Sequence, residues 1–234
     1  MTMTAGRALR LKIELAAPLL RRSVSVFWGT GDPRNRYLAY VQAMHMVIRA
    51  SVPLMELAAQ RCAALAPADA AATAMGAYLR QHIAEELHHD EWLAEDLTAA
   101  GVEPATLLCR HPAPAVASLV GAQYYWIIHY HPVSLLGYIG ALEGTAPSPG
   151  TAAALARLTG YPRRAFRTLD HHARVDDGHV TDLYDLIDRL ALDGPRTSAI
   201  GCSALNTVTG LGELFLSLAN AATRWEPLDV HPRS

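Results

Sequence analysis

Strand-like patterning is missing from this chain: no stretch of useful length alternates apolar and polar residues, and no repeat or low-complexity tract appears. Sheet-built, solenoid and disordered architectures therefore have no support. Cysteine is scarce. Cys62, Cys109 and Cys202 are odd in number, far apart and form no Cys-x-x-Cys pair, which excludes a disulfide framework and a structural zinc knuckle and suits a reducing compartment. Charge of one sign is nowhere concentrated. Twenty Lys and Arg face 22 Asp and Glu, for a net charge of −2 without a basic block, so neither nucleic acid nor an anionic membrane surface is indicated as a partner. A small-molecule substrate is the better expectation. The first turns carry Arg7, Arg10, Lys12 and Glu14, which interrupt the apolar core that a signal peptide needs, so the expected location is cytoplasmic.

What the chain does contain is hydrophobic residues, 51% of 234, enough for one domain with a sizeable core. We expect that domain over residues 1–225, with a loose tail over 226–234 marked by Pro227 and Pro232. Helical spacing is expected over 7–27, bent or ended by Pro18, and over 37–65, kinked at Pro53. A third helix runs over 70–100 with Gly101 as its C-terminal cap. The run 116–142 has no Asp, Glu, Lys or Arg and is long enough to span a bilayer. Gln123, Tyr124, Tyr125, His129, His131 and Pro132 in its middle favour a helix inside a bundle instead. A short helix over 152–158 and long ones over 163–192 and 198–224 complete an all-α bundle of about seven helices.

The chemistry concentrates in His172, Asp176 and His179. Positions i, i+4 and i+7 fall within about 60° on a helix and form a metal-binding stripe. Opposing ligands can come from Glu85-Glu86-Leu87-His88-His89, where the pair Glu86 and His89 is preferred over Glu85 with His88 or His89. His82 is a further ligand or outer-sphere donor on nearly the same face, and Trp92 walls the site. Glu143 supplies a carboxylate at the end of the apolar helix. Glu86, Glu143 and Asp176 with His89, His172 and His179 are three carboxylates and three imidazoles, which nearly balance two ferrous ions. Read alone, His88-His89-Asp90-Glu91 is an ordinary solvated helix face, and His45 is a core histidine. His129 lies about 21 Å along a straight helix from Glu143 and cannot share its metal unless the helix breaks at Pro132. Gly137 and Gly140 either leave room for substrate or allow close helix packing.

Glu86-x-x-His89, the segment from Leu135 to Gly144 carrying Glu143, and His172-x-x-x-Asp176-x-x-His179 together resemble the haem-oxygenase-like diiron oxidases, also called iron-containing redox enzymes. The resemblance implies the seven-helix haem-oxygenase-like fold and an oxygen-dependent oxidation of a small substrate at two Fe(II) ions, with O2 as co-substrate. It implies Glu143 as the bridging carboxylate, with Glu143 and His179 taken as catalytic. Relatives desaturate, cleave carbon–carbon bonds with decarboxylation, or hydroxylate nitrogen, often in natural-product assembly. Some carry an additional glutamate where the same-face residue here is His82. An amino acid or carboxylic acid held by Arg49, Arg167 or Arg174 is the expected substrate, with an external electron donor and a homodimer as compatible partners. The same fold hosts haem oxygenases, thiaminase-like hydrolases and a cofactor-free quinone-synthase oxidase, so the alternatives are that last activity or a metal-free binding or scaffold protein.

Overall fold

The computed structural model describes residues 3–66 and 68–222, without the side chains of Leu107, Val175, Asp176, Asp177 and Ala222; the expected tail over 226–234 lies outside the described residues. Eleven α-helical segments and two 3-10 turns make up the described architecture, with no strand among the described residues. Helix α1 (Ala5–Trp28) starts where the Thr4 side chain accepts from the Arg7 amide, and buries Leu9, Ile13, Leu20 and Phe27. Pro18 does not end it. The proline lies on the exposed face of the helix, where the carbonyl it leaves unpaired is open to solvent and not buried in the core.

Three helices that the sequence suggests are continuous are broken. Residues 37–65 divide into α2 (Pro33–Ile48), capped by Asp32, and α3 (Ser51–Leu65). The break falls before Pro53 because a proline ring clashes with the carbonyl four residues earlier, that of Arg49, and is accommodated most easily in a first turn, where Pro53 of α3 lies. Residues 70–100 divide into α4 (Ala70–Glu86) and α5 (His89–Ala99), with His88 left-handed at φ 69° between them. After the short α6 (Pro104–Leu108), the apolar run divides into α7 (Pro114–His129), a 3-10 turn over 132–134 and α8 (Leu135–Glu143). His131 and Pro132 make that break, so the run provides no single membrane-length helix.

Helices α9 (Thr151–Thr159), α10 (Arg167–Arg189) and α11 (Gly194–Ala222) follow, a 3-10 turn preceding α10. Among the described residues one helix segment, Gly194–Ala221, is long and apolar enough to cross a membrane, and 61% of its most apolar window is buried in the bundle. It packs against α1, α7 and α8. The close crossing with α8 is set by Gly137, where an added Cβ would stand 2.1 Å from the Ile200 carbonyl oxygen. At Gly140 a Cβ would stand 2.7 Å from Leu183 Cδ2. Both glycines therefore serve helix packing, and neither lines a cavity beside Glu143. A smaller apolar cluster of Tyr37, Val41, Leu93, Leu97 and Phe166 ties α2 and α5 to the start of α10.

Candidate metal centre

Three parts of the bundle converge: α4 with the start of α5, the last residue of α8, and the middle of α10. They form two compact groups. His82, Glu143 and His179 bring one nitrogen or oxygen each within 4.8 Å of one another, and Glu86, His89 and His172 do the same. Of the sequence-derived ligands, Glu86, His89, Glu143, His172 and His179 are thus gathered into these groups, whereas the Asp176 side chain lies outside the described residues. Glu85 is at the margin, its Oε2 3.4 Å from His82 Nδ1 and 3.6 Å from His179 Nε2. His88 points away, exposed and paired with Glu91 at 2.9 Å. His129 is exposed at the end of α7, and His131 serves the fold by bonding Asp69 at 3.2 Å.

His82 takes a central place that its sequence reading as a supplementary residue understates. A signal for it was present: His82-x-x-x-Glu86-x-x-His89 has the same spacing as His172-x-x-x-Asp176-x-x-His179. In space the two patterns run in opposite directions, so His82 meets His179 with ring centroids 5.2 Å apart, and His89 meets His172 at 5.0 Å. The left-handed His88 allows this pairing, because it ends α4 after Glu86 and restarts the chain as α5 with His89 buried. Trp92 stands against His89 at 4.2 Å and His171 closes the same corner, 4.8 Å from Trp92.

The electrostatics suit a cation. Glu143 Oε1 lies 2.9 Å from His82 Nε2 and 3.7 Å from His179 Nδ1. Glu143 Oε2 and His179 Nδ1 are buried and have no hydrogen-bond partner among the described residues, a costly arrangement for polar atoms unless something binds them. Burial pushes the Glu143 carboxyl above its usual range against the pull of His82. Burial disfavours a charged His82, yet the hydrogen bond and charge of Glu143 outweigh it and raise that histidine. The pair therefore retains a proton in a place where another positive charge would do. For Glu86, burial is outweighed by the His89 hydrogen bond at 3.0 Å and by the surrounding imidazoles, which hold the carboxylate ionised. Burial lowers His172. Its Nδ1–H donates to the Thr168 carbonyl at 2.9 Å, which fixes the neutral tautomer and leaves the Nε2 lone pair free. Four imidazoles and two carboxylates fit ferrous iron.

Two cavities reach this cluster. One, of about 140 Å3, is walled by aliphatic and aromatic side chains and has Glu86, Asp96 and Glu143 as its charged carboxylates. The other, of about 480 Å3, is more polar and includes Arg10, Glu14 and Tyr184. Arg49, Arg167 and Arg174 line neither, contrary to their expected role in holding a substrate carboxylate. Arg167 instead pairs with Glu95 and lies over the Trp92 ring at 4.5 Å; a long side chain chooses its partner in three dimensions. His45, read from the sequence as a core histidine, also lines neither cavity.

Solved structures share this fold. A domain of unknown function with a heme oxygenase-like fold from Shewanella denitrificans superposes with a TM-score of 0.72 at 13% identity, over 93% of this chain and 90% of that one. A TenA homolog from Pseudomonas syringae pv. tomato gives 0.73 at 14% identity, over 94% of each chain. A CADD-like protein of unknown function from Nostoc punctiforme gives 0.70 at 15% identity, over 93% of this chain and 98% of that one. At these identities the likeness speaks for the haem-oxygenase-like fold alone. No curated protein matches the sequence. The family model for iron-containing redox enzymes, however, matches residues 38–205, a span holding both groups of ligand-type side chains, and the chain belongs to that family.

Proposed function

We propose that the protein is a non-haem diiron oxidase that uses O2 to oxidise a small organic molecule. The observation that carries this reading is the pair of triads, His82/Glu143/His179 and Glu86/His89/His172, each with its donor atoms within 4.8 Å. Asp176, between His172 and His179 in the sequence, completes the proposed ligand set, and Glu143, whose Oε2 is buried without a hydrogen-bond partner among the described residues, would help hold the iron. Ferrous ions bound there would supply the one-electron chemistry and open coordination positions that dioxygen activation requires.

The chain's own residues do the rest. Thr168 orients His172, and Trp92 with His171 screens His89 from water. The apolar cavity delivers a carbon framework to Glu143 and His172. Desaturation, oxidative cleavage with decarboxylation, or N-hydroxylation are the outcomes in keeping with the family, in a cytoplasmic natural-product step supplied by an external electron donor. A thiol-based hydrolase finds no support in the cavities. Burial pushes the Cys62 thiol up to about 11, and none of the three cysteines lines either cavity.

Anaerobic addition of ferrous iron tests the reading. Close to two irons per chain are expected, with oxygen consumed when air is admitted, and His82→Ala or His172→Ala should each lower the iron content and abolish oxygen uptake. No iron uptake by the wild type, or full activity in both variants, would reject the oxidase in favour of a metal-free binding protein.

A further inference from the structure

Helix α7 contains no Asp, Glu, Lys or Arg, yet one whole face of it is exposed. For Leu135–Ala141 of α8, equally free of charge, complete burial is reason enough. That reason does not hold for α7. Val116, Leu119, Gln123 and Ile127 point into the bundle, whereas the outer face runs from Pro114, Ala117, Ser118 and Gly121 to Tyr124, Tyr125 and Ile128. Every other described helix of eight or more residues carries at least one charged side chain. Aromatic enrichment and loss of charge mark the centres of protein interfaces. We infer that this face is an interface with a second copy of the chain, the two α7 helices lying antiparallel about a two-fold axis at Gly121. The inference goes beyond the oxidase reading and does not depend on it.

The order of sizes along the face selects a second copy as the occupant. Before Gly121 the outward residues are small, and after it they are bulky. An antiparallel two-fold sets each residue after Gly121 against the one equally far before it in the other chain. Tyr125 then lies opposite the partner's Ala117, Tyr124 opposite the partner's Ser118, and Ile128 opposite the partner's Pro114. Each bulky side chain meets a small one, and the symmetry repeats every match. A parallel pairing would stack tyrosine on tyrosine and leave the small ends apart. Nothing lies within 4 Å of a Cβ added at Gly121, so the crossing point is open and has room for a residue as small as alanine. Small facing residues bring helix axes to the near end of the packing range.

Area and charge agree with this choice. Taking about 150–250 Å2 for an aromatic side chain, the exposed parts of Tyr124, Tyr125, Ile128 and Tyr130 offer about 400 Å2 per chain. Two copies, with the small residues opposite them, bury about 1,000 Å2 in total, close to what a specific interface requires. Tyr125, 66% exposed, contributes most. Its ring already rests 4.8 Å from that of His129, so docking immobilises little that was free. The other exposed apolar stripe, Leu11, Leu15 and Leu19 of α1, lacks this suitability for self-pairing. That helix carries Arg7, Arg10, Lys12, Arg21 and Arg22 against Glu14 alone, and a second copy would set like charges together.

Sedimentation velocity of the purified full chain tests this over about 1–100 μM, the range that a contact of this size calls for. A dimer with a micromolar dissociation constant is expected. Tyr125→Arg and Ala117→Glu each bury an unpaired charge in the contact, and each should weaken the dimer tenfold or more. The double variant Ala117→Glu/Tyr125→Arg should recover at least tenfold of that loss. Eight residues separate the two positions, about 12 Å along the helix, so only charges on different chains can pair. Circular dichroism confirms that each variant is folded, and having two single variants protects the test should one of them fail to fold. Leu15→Glu on α1 should leave the dimer intact. A wild type that stays monomeric throughout, or a dimer that Leu15→Glu breaks and folded Tyr125→Arg does not, would overturn the inference. Loss in both single variants without recovery in the double variant would overturn the antiparallel pairing.

Discussion

Replacing Gly137 by alanine pits two opposite effects against each other. Helix propensity alone favours the change by about 1 kcal/mol. Packing opposes it, because the new Cβ would stand 2.1 Å from the Ile200 carbonyl oxygen, 2.8 Å from the Ala204 amide nitrogen and 3.0 Å from Ser203 Cβ. Two of these three atoms belong to the backbone of α11, which cannot swing aside as a side chain would. To restore ordinary contact α8 must retreat by about 1 Å, and a gap of that size forfeits a quarter to a half of each dispersion contact along the crossing. Overpacking of this kind costs about 1–3 kcal/mol and sometimes more. With the crowding on backbone, the upper part of that range applies, leaving a net loss of about 2 kcal/mol. For a chain of this size that lowers Tm by about 4–8 °C. Glu143 sits six residues further along the same helix, about 9 Å away, so the retreat should also disturb its 2.9 Å contact with His82. Thermal unfolding followed by circular dichroism reads the first effect and ferrous-iron stoichiometry the second. Gly121→Ala is the matched control: no atom lies within 4 Å of its added Cβ, and a gain of about 0.4–1 kcal/mol is expected. If Gly137→Ala raised Tm as Gly121→Ala should, the close α8–α11 crossing would be refuted.

Two further perturbations probe the scaffold around the site. Asp69 caps α4 through the Ala71 and Ala72 amides and receives His131 and Arg196 on its other oxygen, so Asp69→Ala should cost about 2–4 kcal/mol in denaturant unfolding. Burial works against the Asp69 charge, but the amide, His131 and Arg196 outweigh it and hold the carboxyl below its usual 3.8. That stability is therefore present above the unfolded value and lost as pH falls through the depressed folded one. A wild-type to Asp69→Asn difference in Tm that failed to narrow on acidification would contradict this. Tyr138 is 2% exposed and its hydroxyl has no hydrogen-bond partner among the described residues. Tyr138→Phe should raise the stability of the ligand-free protein by about 1 kcal/mol, and a measured loss would show that the hydroxyl is satisfied in solution.

Much of the candidate site is legible in the sequence because α10 is one uninterrupted helix. His172 and His179 keep the angular relation that ideal helical geometry gives them, and both turn up among the gathered side chains. The first ligand segment is harder. Glu85-Glu86-Leu87-His88-His89 contains neither proline nor glycine, so nothing local announces the left-handed residue that splits α4 from α5. Pro53 and Pro132 do signal breaks, though the first acts four residues upstream of itself. The sequence leaves Gly137 open between substrate room and close packing because its partner, Ile200, is 63 residues away. Glu143 was readable as a helix-end carboxylate, but its burial depends on α4 and α10 closing over it.

The left-handed His88 has a thermodynamic corollary. His82 and Glu86 ride on one rod and His89 on another, so ions seated between them would act as a clasp across a discontinuity in the backbone. Ligation free energy would then be spent partly on ordering that joint. The amides from Leu87 to Glu91 should accordingly show the largest gain in hydrogen-exchange protection when iron is added, while those of the continuous α10 change least.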